Sequence, residues 1–194
     1  MLKVKSVFIC LFLFILVGNP FPIAHAQKID PYTELNDKLT NYIKPCHGKI
    51  SLRYQSLLSN KSFTINSQTE VPAASTIKLP LALYVMKMAD LGKLDLSEQL
   101  TYQSHQYSGG SGVIQNDSVG TKYTIGELIE KALVYSDNIA FIMLKERVGK
   151  ENFIAYLKGL GADYAYPGGR NTTSADDLCL YAKELFRYSK QNEN

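Results

Sequence analysis

A serine and a lysine stand three apart at Ser75 and Lys78, and that spacing puts both on one face of a helix, within reach of each other. An alcohol is a weak nucleophile at neutral pH and needs a neighbouring base. A lysine can serve when burial pulls its pKa down, because desolvation disfavours the charged form. Ser75 also opens an apolar run, and backbone N–H groups at a helix start point outward unpaired, ready to stabilise a developing oxyanion. Taken alone, Ser-x-x-Lys is a common pattern whose usual meaning is a helix cap with a solvated lysine. A second polar element is Tyr135-Ser136-Asp137-Asn138, a short turn between two apolar segments. In isolation it reads as a helix–helix turn capped by Asp137 or Asn138; together with the first it suits the opposite wall of a site.

The elements that must position these residues are mostly helical. Ile77, Leu79, Leu81, Leu83, Val85, Met86 and Met88 surround a helix from Ser75 to about Leu91, and a helix apolar on nearly all sides belongs in the middle of a protein. Gly92 is its stop, and Pro80 is tolerated only near the first turn. Thr124 and Glu127 form a capping box for a helix reaching about Tyr135. Further helices run from about Asn138 to Val148 and from about Glu151 to Leu160, each stopped by a glycine, and Ser174 with Asp177 caps a last one over about 175–190. Ahead of them, Asp30-Pro31 opens a helix to about Ile43. The alternation of Ile50, Leu52 and Tyr54, a Ser59-Asn60-Lys61 turn, and Phe63-Thr64-Ile65 then predict a hairpin. No repeat or long linker interrupts the chain, so it reads as one α+β domain.

Ser-x-x-Lys at the head of an all-round apolar helix, followed by Ser-Asp-Asn between helices, is the penicillin-recognising signature. The chain resembles the class A β-lactamase-like, penicillin-recognising serine hydrolases over about 49–187. The resemblance is carried by Pro72-Ala73-Ala74-Ser75-Thr76-Ile77-Lys78, Thr124-Ile125-Gly126-Glu127-Leu128, Tyr135-Ser136-Asp137-Asn138-Ile139-Ala140 and Asn171-Thr172-Thr173-Ser174. It implies that Ser75 attacks a lactam or peptide carbonyl and that Lys78 takes or positions its proton. It further implies that Ser136 relays a proton to the leaving nitrogen, that Asn138 holds the substrate's amide side chain, and that the Ser75 N–H is one oxyanion donor. The implied fold is of the β-lactamase/transpeptidase type: the helical part plus the N-terminal hairpin of an antiparallel sheet, with the remaining strands missing.

Two features depart from that family. Its deacylating Glu, in a Glu-x-x-Leu-Asn sequence, has no counterpart: between Gly161 and Asn171 the sole acid is Asp163, and Glu146 and Glu151 read as surface charges. General-base help of that kind is worth about 10²–10⁴-fold, so acylation without rapid deacylation is the alternative to a turning-over hydrolase. The Lys-Thr-Gly signature of a later strand is also absent. The expectation is an incomplete homologue whose hairpin edge is bare, and a non-catalytic remnant is a third reading.

The bulk properties narrow the rest. Lys3 and Lys5, the apolar run Val7 to Val17, and Ala24-His25-Ala26 predict a cleaved signal peptide over 1–26 and export to the periplasm, cell-wall space or medium. The run is too short for a membrane helix, which needs about 20 residues. Without Lys3 and Lys5 the basic and acidic residues of 27–194 nearly balance, so nothing favours nucleic acid or a membrane surface as partner. The partner implied is a small-molecule β-lactam or a cell-wall peptide. Cys46 and Cys179 are available for a disulfide, without metal-ligand spacing. His47 and His105 stand without clustered acids or a Gly-x-Ser-x-Gly elbow, which argues against a zinc site and a Ser-His-Asp triad; no cofactor is implied. Gly109-Gly110-Ser111-Gly112 is expected to bend the chain over the mouth of the site, with Tyr107 a weaker candidate for its wall.

Overall fold

The computed structural model describes residues 30–191, so the leader assigned to 1–26 lies outside the described residues. The described residues open with helix α1 (Pro31–Ile43), started by Pro31, and enter the hairpin of β1 (Leu52–Gln55) and β2 (Ser62–Ile65). The strands are antiparallel, with Tyr54 opposite Phe63. Their rings stack at 5.0 Å, and Tyr32 of α1 lies 5.7 Å from Tyr54. These aromatic contacts tie α1, which buries no residue completely, to the hairpin.

Strand β3 (Val71–Pro72) leads into a short 3₁₀ turn, Ala74–Ile77, and helix α2 (Lys78–Asp90). The predicted single helix from Ser75 is therefore a 3₁₀ turn followed by an α-helix. Because α2 starts at Lys78, Pro80 falls in its first turn, where the missing N–H has no intrahelical partner to lose. At its end Gly92 (φ 65°) donates to Ala89 and Lys93 donates to Met88, the paired closure of a Schellman motif.

Strands β4 (Gln99–Thr101) and β5 (Lys122–Thr124) pair antiparallel and deliver the chain to α3 (Ile125–Val134), whose start is locked by the Thr124–Glu127 capping box. Helices α4 (Asn138–Val148) and α5 (Lys150–Gly159) follow. Strand β6 (Thr172–Thr173) then returns to pair with β3, and α6 (Ala175–Gln191) packs on β1 and α2, with Lys87 2.5 Å from Glu184. The Asp177 amide bonds the Ser174 hydroxyl at 3.1 Å, the cap expected there.

Leu81 and Val85 of α2, Ile125 and Leu128 of α3, Ile139 and Met143 of α4, and Phe153 and Leu157 of α5 form the core. The order of elements agrees with the α+β reading, and β1 pairs with β2 alone among the described residues. The β3–β6 and β4–β5 pairs are additions to what the sequence predicts; at two or three residues each they are too short to show an alternating pattern. Cys46 and Cys179 are both free, so the disulfide considered from their number does not form. Leu128 is fully buried. Leu128→Ala is expected to lower stability by about 2–5 kcal/mol in urea denaturation, the usual effect of a cavity at such a site; an unchanged midpoint would contradict this packing.

Candidate active site

Two backbone corners face each other across the site. At the first, Ala74 adopts the left-handed conformation (φ 46°) immediately before Ser75. For a residue with a Cβ this costs about 1–2 kcal/mol, so the corner has to be held. Asn171 holds it twice: its carbonyl accepts from the Ala73 N–H at 3.0 Å, and its side-chain amide donates to the Ala74 carbonyl at 3.1 Å. The β3–β6 pairing brings Asn171 to that position. The Ser75 side chain is exposed, and its N–H sits in the first turn of the 3₁₀ segment, where helical geometry offers no acceptor.

At the second corner, Ser136 is also left-handed (φ 51°). Here the anchor is Asp137, whose residue is 0% exposed. One of its carboxylate oxygens accepts from the N–H groups of Ile139 and Ala140, both at 2.9 Å, and so caps α4. The other accepts from Val113 at 2.7 Å and Ile114 at 2.8 Å. One buried carboxylate thus joins the α4 start to the Gly-rich loop. The loop approaches closely only because residue 112 is glycine: at φ 110°, a Cβ there would fall 2.3 Å from the Asp137 Cγ.

Between the corners lies Lys78, 4% exposed. Its Nζ stands 3.2 Å from Ser75 Oγ, 3.1 Å from Ser136 Oγ and 2.8 Å from Asn138 Oδ1, and it also donates to the Ser136 carbonyl. The Ser136 hydroxyl donates to Ser75 Oγ at 2.7 Å. Burial pushes the Lys78 pKa down, and the negative charge of Asp137 partly offsets this. Ser75 and Lys78, paired by their spacing, and Ser136 and Asn138, implied by the family resemblance, therefore meet in one hydrogen-bonded cluster. It contains an exposed hydroxyl, an amine of lowered basicity, and a second hydroxyl within hydrogen-bond reach of both, the parts that nucleophilic chemistry needs.

The other sequence candidates lie elsewhere. Tyr107 is 63% exposed beside the Gly-rich loop. His105 faces Glu146 at 3.4 Å, and His47 is exposed. Asp163 is exposed, while its N–H and that of Tyr164 bond the Asp177 carboxylate at 2.9 and 3.1 Å. Among the described residues no group of three or more His, Cys, Asp or Glu side chains is placed to hold a metal ion. The sequence did not single out the anchoring roles of Asn171 and Ser111. The closeness of Gly112 to Asp137 was signalled by the glycines, but only as loop freedom.

Asp137 gives a direct test. In Asp137→Asn only one side-chain oxygen remains to accept, and the NH₂ group faces two backbone donors. A loss of about 2–4 kcal/mol is expected in chemical denaturation, from stranded buried N–H groups. A change below the error of the measurement would show that the carboxylate does not hold the two segments.

The chain matches the β-lactamase enzyme family over residues 34–193. Among curated proteins it is 28% identical over 140 residues to the β-lactamase SME-1 of Serratia marcescens, covering 71% of this chain and 46% of that protein. It is also 28% identical over 137 residues to the D-alanyl-D-alanine carboxypeptidase DacF of Bacillus subtilis, covering 63% of this chain and 35% of that one. The chain thus spans less than half the length of these relatives. Among solved structures, that of PBP-A superposes with a TM-score of 0.72 at 25% identity, over 80% of this chain and 62% of that one. An ancestral class A β-lactamase superposes at 0.68 with 26% identity, over 78% and 63%. The matched span includes both corners and the lysine between them: the chain belongs to the β-lactamase enzyme family and has its fold.

Proposed function

We propose that this protein attacks β-lactam rings, or the acyl amide of a cell-wall peptide, through an acyl-enzyme on Ser75. The observation that carries the reading is the triangle of Ser75 Oγ, Lys78 Nζ and Ser136 Oγ, with sides of 3.2, 3.1 and 2.7 Å. Neutral Lys78 takes the Ser75 proton as Oγ bonds to the carbonyl carbon. The C–N bond then breaks, and the nitrogen leaves with a proton delivered through Ser136. In this reading Asn138, whose Oδ1 accepts from Lys78 at 2.8 Å, receives the substrate's amide side chain, and the Ser75 N–H serves as an oxyanion donor. The basic start, apolar run and Ala-x-Ala site of residues 1–26 support export, where such substrates are met. Among the described residues no helix is long and apolar enough to cross a membrane.

A second reading concerns turnover. No carboxylate is hydrogen-bonded to Ser75, Lys78 or Ser136 among the described residues, and Asp163 is exposed in the loop where a water-activating acid would be sought. This favours a long-lived adduct, as in a β-lactam or wall-peptide sensor, over the fast release that gives antibiotic resistance. Labelling by a fluorescent penicillin tests both readings. Wild type is expected to label, Ser75→Ala to lose labelling, and Lys78→Ala to slow it by about 10²–10⁴-fold. The wild-type rate should rise with pH as Lys78 loses its proton. Persistence of the label for hours supports the sensor, and decay within minutes supports the hydrolase. Undiminished labelling of Ser75→Ala would end the proposal.

A further inference from the structure

The Gly109-Gly110-Ser111-Gly112 loop meets the Ser136-Asp137-Asn138 turn at successive points. The Asn138 N–H donates to the Ser111 carbonyl at 3.1 Å, and the Asn138 side-chain amide donates to the Gly109 carbonyl at 3.1 Å. The Ser111 hydroxyl donates to the Ser136 carbonyl at 2.8 Å and lies 3.4 Å from that of Tyr135. The Ser136 carbonyl therefore serves two donors, Ser111 Oγ and Lys78 Nζ.

That sharing has a chemical consequence. A carbonyl already engaged by one donor is a poorer acceptor for a second, and a hydrogen bond to the charged form of a group favours that form. Without the Ser111 hydroxyl, the Ser136 carbonyl would belong to the Lys78 ammonium alone. The left-handed Ser136–Asp137 peptide would also lose one of its restraints, keeping the Lys78 donor and the bond from its own N–H to the Lys131 carbonyl at 3.1 Å, and Ser136 Oγ would be less firmly aimed at Ser75 Oγ.

We propose that Ser111 is a positioning residue for the Ser75 reaction: through the Ser136 carbonyl it shares with Lys78, it fixes Ser136 against Ser75 and leaves Lys78 free to take the Ser75 proton. The proposal deepens, and rests on, the acyl-enzyme reading. Asp137, from the turn between α3 and α4, is the charged group whose field reaches Lys78; Ser75, Ser136 and Asn138 are its neutral partners. None of them is altered in the variants below.

NMR titration of the Lys78 Cε resonance needs no substrate and reads the effect directly. Ser111→Ala is expected to move the Lys78 midpoint to higher pH, and Ser111→Thr, which keeps the hydroxyl, to leave it at the wild-type position. In parallel, labelling by a fluorescent penicillin should slow about tenfold in Ser111→Ala, as expected for a small misplacement of reacting groups, and remain near wild type in Ser111→Thr. An unmoved Lys78 titration in Ser111→Ala would overturn the proposal. So would a displacement in Ser111→Thr as large as in Ser111→Ala, which would mean loop packing alone. Failure of the wild type to label would count against the acyl-enzyme reading, while the titration would still decide the role of Ser111.

Discussion

Four backbone N–H groups from two separate segments converge on the buried carboxylate of Asp137, and the rest of the site hangs from that convergence. A buried carboxylate is tolerable only when its oxygens are satisfied, so the α4 start and the Gly-rich loop must both arrive for the fold to close. Once they do, Ser136 and Asn138 on either side of Asp137 have little freedom left. Ser136 is held left-handed, and its carbonyl is turned toward Lys78. The residue that joins two segments thereby also aims the Ser136 and Asn138 side chains at Lys78.

The Ser75 side follows the same logic with different means. Ala74 is strained, and Asn171 restrains it from a strand pair only two residues long. The two corners lie on separate parts of the chain, and Lys78 bridges them from the first turn of the central helix. Burial in that helix lowers the lysine's basicity, which an exposed lysine would not experience. Packing and base strength are thus linked: the closure of the two corners and the turn before α4 over Lys78 leaves it 4% exposed, and that burial lowers its basicity.

Much of this was legible in the sequence because it is local. The spacing of Ser75 and Lys78, the Thr124–Glu127 capping box, the glycine stop at Gly92 and the Ser136-Asp137-Asn138 turn each depend on residues within a few positions of one another. Asp137 was legible as a cap for α4 but not as the acceptor for Val113 and Ile114, since nothing along the chain signals that the loop folds against it. Asn171 and Ser111 were missed as anchors for the same reason: their partners lie 97 and 25 residues away. The left-handed backbone at Ala74 and Ser136 could not be read either, because local preference opposes it and only tertiary contacts impose it.

The claim that unites these observations is that Ser75, between two restrained corners, becomes acylated. Peptide mapping by mass spectrometry after incubation of the folded protein with benzylpenicillin tests it most directly. The account predicts one adduct per chain, bonded to Ser75. An adduct on any other residue, or none on a sample shown to be folded, would contradict it.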